Sequence, residues 1–261
     1  MTWLALKHYR GQFLIALALL AAMAMFVVPT GLQNLGEFHA GGLSACVARD
    51  QPCPELRRGL TQEYTTLSSI VVFFNLVPAV LGVLLAAPIV AELDNRTFRL
   101  AWTQSISRER WLLTKLGVAL ACTAVLSLLF TLMMTWWYSP FDHAALLGHN
   151  VGPSFDFEGV MPFVYTLFSF SLALLTGVWT RSTLAAALLT ITGFIVGFLG
   201  VLSVREQGAV PAPSNRLIEA GAVPVRNMAH FWTVQTTEAA IFAAAAVVLT
   251  GLAMAMVGRR A

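Results

Sequence analysis

Six long apolar runs, separated by polar segments, dominate this chain. In lipid a backbone must satisfy its own hydrogen bonds, so such a run is stable there only as a helix or within a closed barrel. A helix of about 20 apolar residues crosses the hydrocarbon core. The sequence therefore predicts an all-α integral membrane protein, with six transmembrane helices in a single domain that spans residues 1–261. The apolar runs cover residues 13–28, 64–91, 111–137, 160–179, 183–204 and 238–257.

Charged residues are scarce, which supports the membrane assignment. Asp, Glu, Lys and Arg make up 11% of the chain, whereas a soluble domain carries about 25%. Residues 1–12 mix Trp3 and Tyr9 with Lys7 and Arg10, the composition of a short helix lying in the headgroup region. A basic segment also precedes the apolar part of a signal peptide, but five more spans follow this one. We therefore predict an N-terminal interfacial helix and a retained first span.

The basic residues are unevenly divided between the two sides of the membrane. The side that holds both termini carries ten basic residues against three acidic ones, and the other side carries six against ten. Because short loops rich in Lys and Arg stay in the cytoplasm, both termini and the loop 92–110 are predicted to be cytoplasmic. The loops 29–63, 139–159 and 205–237 are then external. The ten basic residues are Lys7, Arg10, Arg96, Arg99, Arg108, Arg110, Lys115, Arg181, Arg259 and Arg260.

Two of the three cysteines share the first external loop. Cys46 and Cys53 are seven positions apart and prolines flank the second one. Disulfides persist in oxidising compartments, so we predict a Cys46–Cys53 disulfide. Cys122 lies in an apolar run, where a thiol behaves as a small hydrophobic group.

The chain has no sequence signature of an enzyme. Neither of its two lysines, Lys7 and Lys115, lies in a phosphate-binding loop of the type Gly-x-x-x-x-Gly-Lys-Ser/Thr. The serines show no nucleophile-elbow pattern. The tryptophans at the span ends are typical of interface anchors, not of stacking platforms for nucleic acid. We predict no ATPase site in this chain, no cofactor and no nucleic-acid partner.

Ionisable residues do not occur well inside the predicted spans. Glu63, Glu158 and Glu238 stand at outer span ends, where first-turn acids complement a helix dipole or contact water. Ion-coupled transport needs ionisable groups near mid-membrane, so this function loses support. Apolar spans suit a hydrophobic or amphipathic solute better.

An external metal site is a further alternative. Because its ligands lack tight spacing, solvated loop residues are favoured and no metal site is predicted. Its candidate ligands are Asp142, His143, His149 and Asp156.

The polar segment between spans two and three, residues 92–115, is more structured than a simple connector. Phe98 and Trp102 are four residues apart and lie on one side of a helix. Ser107 can cap a new helix that starts at Arg108 and carries Glu109 in its first turn. The segment therefore predicts a short interfacial helix, a break, and the start of the third span. A cytoplasmic partner could push on such an element.

Proline and glycine mark two of the spans. Pro78 and Pro88 each remove a backbone hydrogen bond from the second span, which predicts a kinked and partly protein-facing helix. In the fifth span Gly193 and Gly197 form a Gly-x-x-x-Gly pattern that favours close helix approach. Chance occurrence of that pattern is the alternative.

The segment 92–115 resembles the conserved loop of bacterial ABC-2 type transporter permeases. Members of that family usually carry an acidic pair, Gly-Thr, then Thr-Gln-Pro-Val-Ser-Arg followed by Arg and Lys. Here Arg96 stands in place of the Gly and Ser105 in place of the Pro. The resemblance extends to the six spans, the N-terminal interfacial helix and the short turn between spans four and five. The residues that carry it are Glu92, Thr97, Leu100, Thr103, Gln104, Ser107, Arg108, Arg110, Trp111 and Lys115.

The resemblance implies a permease subunit of the bacterial cell membrane. Such a subunit dimerises, with itself or with a related chain, and binds two copies of a cytoplasmic P-loop ATPase that holds ATP and Mg. Family members export drugs, peptides, lipids or glycans. The resemblance implies that residues 92–110 form a coupling segment, with a coupling helix between spans two and three that binds the ATPase. The coupling residues implied are Glu92, Phe98, Leu100, Trp102, Arg108 and Arg110. The residues implied for the path or the dimer interface are Phe73, Asn75, Pro78, Gly193 and Gly197.

Three functions remain open on the sequence. The first is the membrane-spanning half of an ATP-driven exporter. The second is a membrane sensor or assembly subunit that docks an ATPase without transporting a solute. The third is an ion-coupled carrier.

Overall fold

The structure, a computed structural model, describes residues 2–40, 42, 45, 67, 69–95, 108–143, 154–208 and 228–260. Across these ranges it contains six long α-helices and no strand. Each helix carries a segment long and apolar enough to cross a membrane. The all-α fold with six candidate spans is confirmed for this part of the chain, and the interfacial and coupling helices remain predictions. The helices are α1 (Thr2–Ala40), α2 (Val77–Asp94), α3 (Arg108–His143), α4 (Met161–Thr180), α5 (Thr183–Gly208) and α6 (Met228–Arg260).

Helix α1 is one continuous helix of 39 residues, about 58 Å long at 1.5 Å per residue. It includes the predicted interfacial segment 1–12 from Thr2 onward, and it passes through Pro29 without ending. The prediction that a loop begins at Pro29 is therefore wrong for residues 29–40. The helix extends past Pro29 because one residue in every three or four stays buried on the side that faces the bundle. This buried stripe comprises Val27, Gly31, Asn34 and Phe38.

The second span changes geometry at a proline. A 3-10 helix, Val72–Leu76, leads into α2, and Pro78 occupies the first turn of that helix. Proline is tolerated at that position because the backbone N–H groups of the first turn have no partner within the helix. Leu81, Leu85 and Ile89 of α2 are fully buried, so the expected protein-facing side of this span is confirmed.

Three of the remaining helices extend beyond the predicted spans. Helix α3 begins at Arg108, as the sequence predicts, and ends at His143. Helix α5 reaches Gly208, and α6 already begins at Met228. Residues 205–208 and 228–237, which were assigned to an external loop, are thus helical.

Helix α4 lies at the centre of the bundle. It contacts α2, α3, α5 and α6, whereas α1 packs on α2 and α3. Two glycines allow α2 and α4 to approach closely. A Cβ on Gly82 would lie 2.5 Å from the Cβ of Ser169, and one on Gly177 would overlap the side chain of Val90. Small residues at such crossings are how helices pack tightly in lipid.

Hydroxyl groups connect α4 to its neighbours. Ser127 of α3 donates to Thr166 at 3.3 Å, and Thr250 of α6 donates to Ser171 at 2.9 Å. Interhelical hydrogen bonds of this kind contribute about 0.6 kcal/mol each in a membrane protein. They orient the central helix against two partners at different depths.

The bundle has two ends, about 30 Å apart along the 20 residues of α4. The Glu92 end contains Glu92, Lys115 and the two-residue connection between α4 and α5, residues 181–182. The Arg205 end contains Asp156, Arg205 and Glu238. Two apolar cores fill the space between them, one mainly among α1 to α4 and a smaller aromatic one mainly among α4, α5 and α6.

Candidate functional site

An ion pair lies at the base of the predicted coupling segment. Glu92, near the end of α2, pairs with the Lys115 ammonium of α3. The two side chains are 16% and 9% exposed, so the pair is largely shielded from solvent. Helix α3 starts seven residues before Lys115, which is about 10 Å of helix. The segment between α2 and α3 is therefore attached to two helices whose ends are already joined.

The same end of the bundle includes the connection between α4 and α5. Thr183 donates a hydrogen bond to the Asp94 carboxylate at 3.3 Å and so brings the end of α2 to the start of α5. Arg181 adopts a left-handed conformation, with φ of 53°, and its N–H donates to the Gly177 carbonyl at 2.9 Å. This reverses the chain in two residues. The Glu92 end thus gathers the termini of α2, α3, α4 and α5.

Most of the predicted coupling residues are not placed. Phe98, Leu100 and Trp102 lie outside the described residues. Arg108 and Arg110 occupy the first turn of α3, but the structure does not describe their side chains. Among the predicted coupling set, Glu92 is the residue whose contacts are visible. Cys46 and Cys53 also lie outside the described ranges.

The three residues of the second span that were predicted to line the path, Phe73, Asn75 and Pro78, differ in their exposure. Phe73 is 67% exposed on the 3-10 helix, whereas Pro78 is buried. The Asn75 amide donates to the Val72 carbonyl at 3.2 Å, a local bond within the same turn. Phe73 and Pro78 thus differ in exposure, and the role of the three residues in a path or dimer interface stays a prediction.

The two glycines of α5 face α4 of the same chain. A Cβ on Gly193 would lie 2.8 Å from Leu172, and one on Gly197 would lie 3.8 Å from Phe168. Gly193 therefore contributes to close packing within the chain, whereas a methyl group at Gly197 would make an ordinary contact. Their role at a path or a dimer interface stays a prediction.

A second polar site, which the sequence analysis missed, lies at the Arg205 end. The Arg205 guanidinium donates to Glu238 at 2.6 and 3.0 Å, and to Asp156 at 3.0 and 3.3 Å. Tyr165 of α4 donates its hydroxyl to Asp156 at 2.8 Å. The Phe155 ring covers the guanidinium, with its centroid 4.3 Å from the Arg205 Cζ. We call Asp156, Arg205 and Glu238 the Arg205 cluster.

The surroundings of the Arg205 cluster correct two interpretations. Glu238 is ten residues inside α6 and its side chain is 9% exposed, so it is neither a first-turn acid nor a solvated interface residue. Asp156, which was interpreted as a solvated loop residue, is instead buried and bound to Arg205 and Tyr165. Its position follows from a buried 3-10 turn, Phe155–Phe157, whose phenylalanines pack on α6 and α3.

A weak signal for this cluster is present in the sequence. Arg205 ends one apolar run and Glu238 begins the next on the same side of the membrane, and Asp156 is flanked by two phenylalanines. Charges that border apolar runs in this way are costly to bury unless they pair. Pairing them requires knowing that α5 and α6 meet at this end, which the sequence pattern does not supply.

Comparison with known proteins identifies the family. The family model described as ABC-2 membrane transporter related matches residues 17–205. The matched region extends from α1 to Arg205 of α5 and includes the coupling segment. No curated protein and no solved structure matches the chain significantly. Because the family model covers more than two thirds of the 261 residues, this multi-pass membrane chain belongs to the ABC-2 membrane transporter related family.

Proposed function

We propose that this chain is the membrane-spanning permease subunit of an ATP-driven exporter. It would move a hydrophobic or amphipathic substrate out of the cytoplasm, using ATP hydrolysed with Mg on a separate subunit. Family membership supports this role. The observation that carries it is the Glu92–Lys115 pair, which joins the two helices that flank the coupling segment.

A displacement of the coupling segment would be transmitted into the bundle through contacts between the helices. The ion pair makes the ends of α2 and α3 move together, and α2 in turn is close-packed on α4 at Gly82 and Gly177. Packed helices transmit displacement because they slide or rotate as rigid elements. Helix α4 contacts α5 and α6 as well. Movement at the Glu92 end can therefore reach the Arg205 end through the central helix.

The complete transporter would contain two permeases and two ATPases. The second permease would be another copy of this chain or a related one. Exposed apolar side chains along α1, α5 and α6 suit contact with lipid and with a second permease. Both termini and the Glu92 end would face the cytoplasm, which follows from the charge asymmetry of the sequence.

Copurification tests the proposed function. A tagged chain is extracted from its native membrane, and its stoichiometric partners are identified. A P-loop ATPase at equal ratio, with ATP hydrolysis stimulated in the assembly, is the expected result. Recovery of the chain alone, or with other membrane subunits only, would overturn the proposal in favour of an ion-coupled carrier. An ATPase bound without any solute movement in vesicles would instead favour a sensor or assembly subunit.

A further inference from the structure

We propose that the Arg205 cluster is a latch that holds α4, α5 and α6 together at the Arg205 end and opens while the rest of the bundle stays folded. Its opening during transport rests on the proposed function. The latch connects three separate segments: the turn before α4, the last part of α5 and the first third of α6. One guanidinium bridges all three.

The three charged side chains of the latch are joined by hydrogen bonds and are buried. Arg205 donates four hydrogen bonds to two carboxylates, and Asp156 accepts a fifth bond from Tyr165. The three charged side chains are each 8 to 9% exposed. A buried network of this kind is cooperative, because losing one member leaves the others charged and poorly solvated.

Helices α5 and α6 are both much less enclosed by the bundle than α4. In the most apolar stretch of each helix, 17% of the residues are buried in α5 and in α6, against 67% in α4. Local contacts such as this one therefore matter more for the two outer helices than for α4. At the Glu92 end α5 is held by its short connection to α4 and by the Thr183–Asp94 hydrogen bond. At its other end the Arg205 cluster is what ties α5 to α6, with Phe155 and Phe231 packed beside it.

Charged groups suit a contact that must open. Apolar residues of similar size would hold the helices at least as well, so stability alone does not call for a buried Arg with two carboxylates. Charged side chains, however, regain favourable hydration when they separate, whereas an apolar contact exposed to water does not. Arg205 lies three residues before the end of α5, close to the polar boundary of the bundle. The cluster can therefore exchange between internal pairing and water.

Thiol reactivity at a buried position measures this opening directly. Ser154 is 6% exposed and lies two residues before Asp156, so S154C is a reporter inside the closed Arg205 end. Cys122 of α3, partly buried and nearer the Glu92 end, is an internal control in the same molecule. Cys46 and Cys53 are replaced by Ser. The purified chain is treated with N-ethylmaleimide, and alkylation at each position is followed by peptide mass spectrometry.

Substitutions in the latch should raise the reactivity of one thiol and not of the other. In R205K, D156N and E238Q we expect alkylation of the S154C thiol to accelerate about tenfold, because local opening is then more frequent. Alkylation of Cys122 should stay unchanged, whereas general unfolding would accelerate both. The matched control is R181K, the same exchange at an exposed arginine. Equal reactivity of the S154C thiol in all variants, or parallel acceleration at Cys122, would overturn the latch.

A second measurement separates the latch from the proposed function. With the ATPase subunit bound and trapped with nucleotide, reactivity of the S154C thiol should rise in the chain with an intact latch. If the ATPase binds and is stimulated but this reactivity does not change, the proposed function stands and the latch does not take part in the cycle. The experiment on the chain alone needs no ATPase, so it decides the first part of the proposal in either case.

Discussion

Lys115 on α3 forms an ion pair with Glu92 on α2 and so connects the two helices that flank the coupling segment in sequence. Of all the residues predicted to couple this chain to an ATPase, Glu92 is the one whose partner is visible, and that partner belongs to the same sequence motif. The pair joins the end of α2 to the first part of α3.

Removing one charge of this pair should destabilise the chain, because the other charge then stays buried without this partner. We expect E92Q or K115M alone to lower stability by about 2 kcal/mol, since a largely buried charge loses its partner. The double variant should lose less stability than the two single variants lose together, because no unpaired charge remains. Thermal unfolding midpoints in detergent measure the effect. E37Q, at an exposed glutamate of α1, is the control, and strictly additive losses would contradict the predicted coupling.

The two glycines at the α2–α4 crossing should not tolerate a methyl group. A Cβ on Gly82 would lie 2.6 Å from the backbone nitrogen of Phe170, which cannot move aside. We expect G82A and G177A each to cost about 1–3 kcal/mol through overpacking. At Gly117 and Gly251 no atom lies within 4 Å of an added Cβ. G117A and G251A should therefore be neutral or slightly stabilising in the same thermal assay, and equal losses at all four glycines would contradict close packing at the crossing.

The aromatic residues of the coupling segment should be needed to stimulate the partner ATPase but not for membrane insertion. We expect F98A and W102A to abolish most stimulation of the partner ATPase, because large apolar side chains dominate protein contacts. Membrane yield and thermal stability should match the unsubstituted chain. L252A, at an exposed position of α6, is a matched truncation outside the segment. Unchanged stimulation in F98A and W102A would place the ATPase contact elsewhere.

Cys46 and Cys53 should be joined in the protein from its native membrane. Without reductant, alkylation should modify one of the three cysteines, Cys122, and after reduction it should modify all three. Intact mass before and after reduction measures the difference. C46S with C53S should give one modification under both conditions, whereas three modifications without reductant would exclude the disulfide.

The sequence predicted the number and order of the membrane spans well but misplaced several of their ends. Hydropathy identifies the apolar part of a helix, whereas residues 29–40 and 228–237 are helical although they are more polar. In α1, Pro29 suggested an end. The helix continues because Gly31 and Asn34 lie on the same buried stripe as Val27. Side chains packed on α3 thus outweigh the local signal of a proline.

The sequence by itself determined which parts of this protein enter the membrane and which segment resembles the coupling loop of its family. Both are properties of neighbouring residues: the free energy of inserting a span is summed along it, and a loop motif is read in order. Only the tertiary structure decided the partners of the buried charges. Arg205 meets Glu238 and Asp156, which are 33 and 49 positions away in the chain. The pairing of these charges depends on how α4, α5 and α6 pack, and helix packing is a property of the whole bundle.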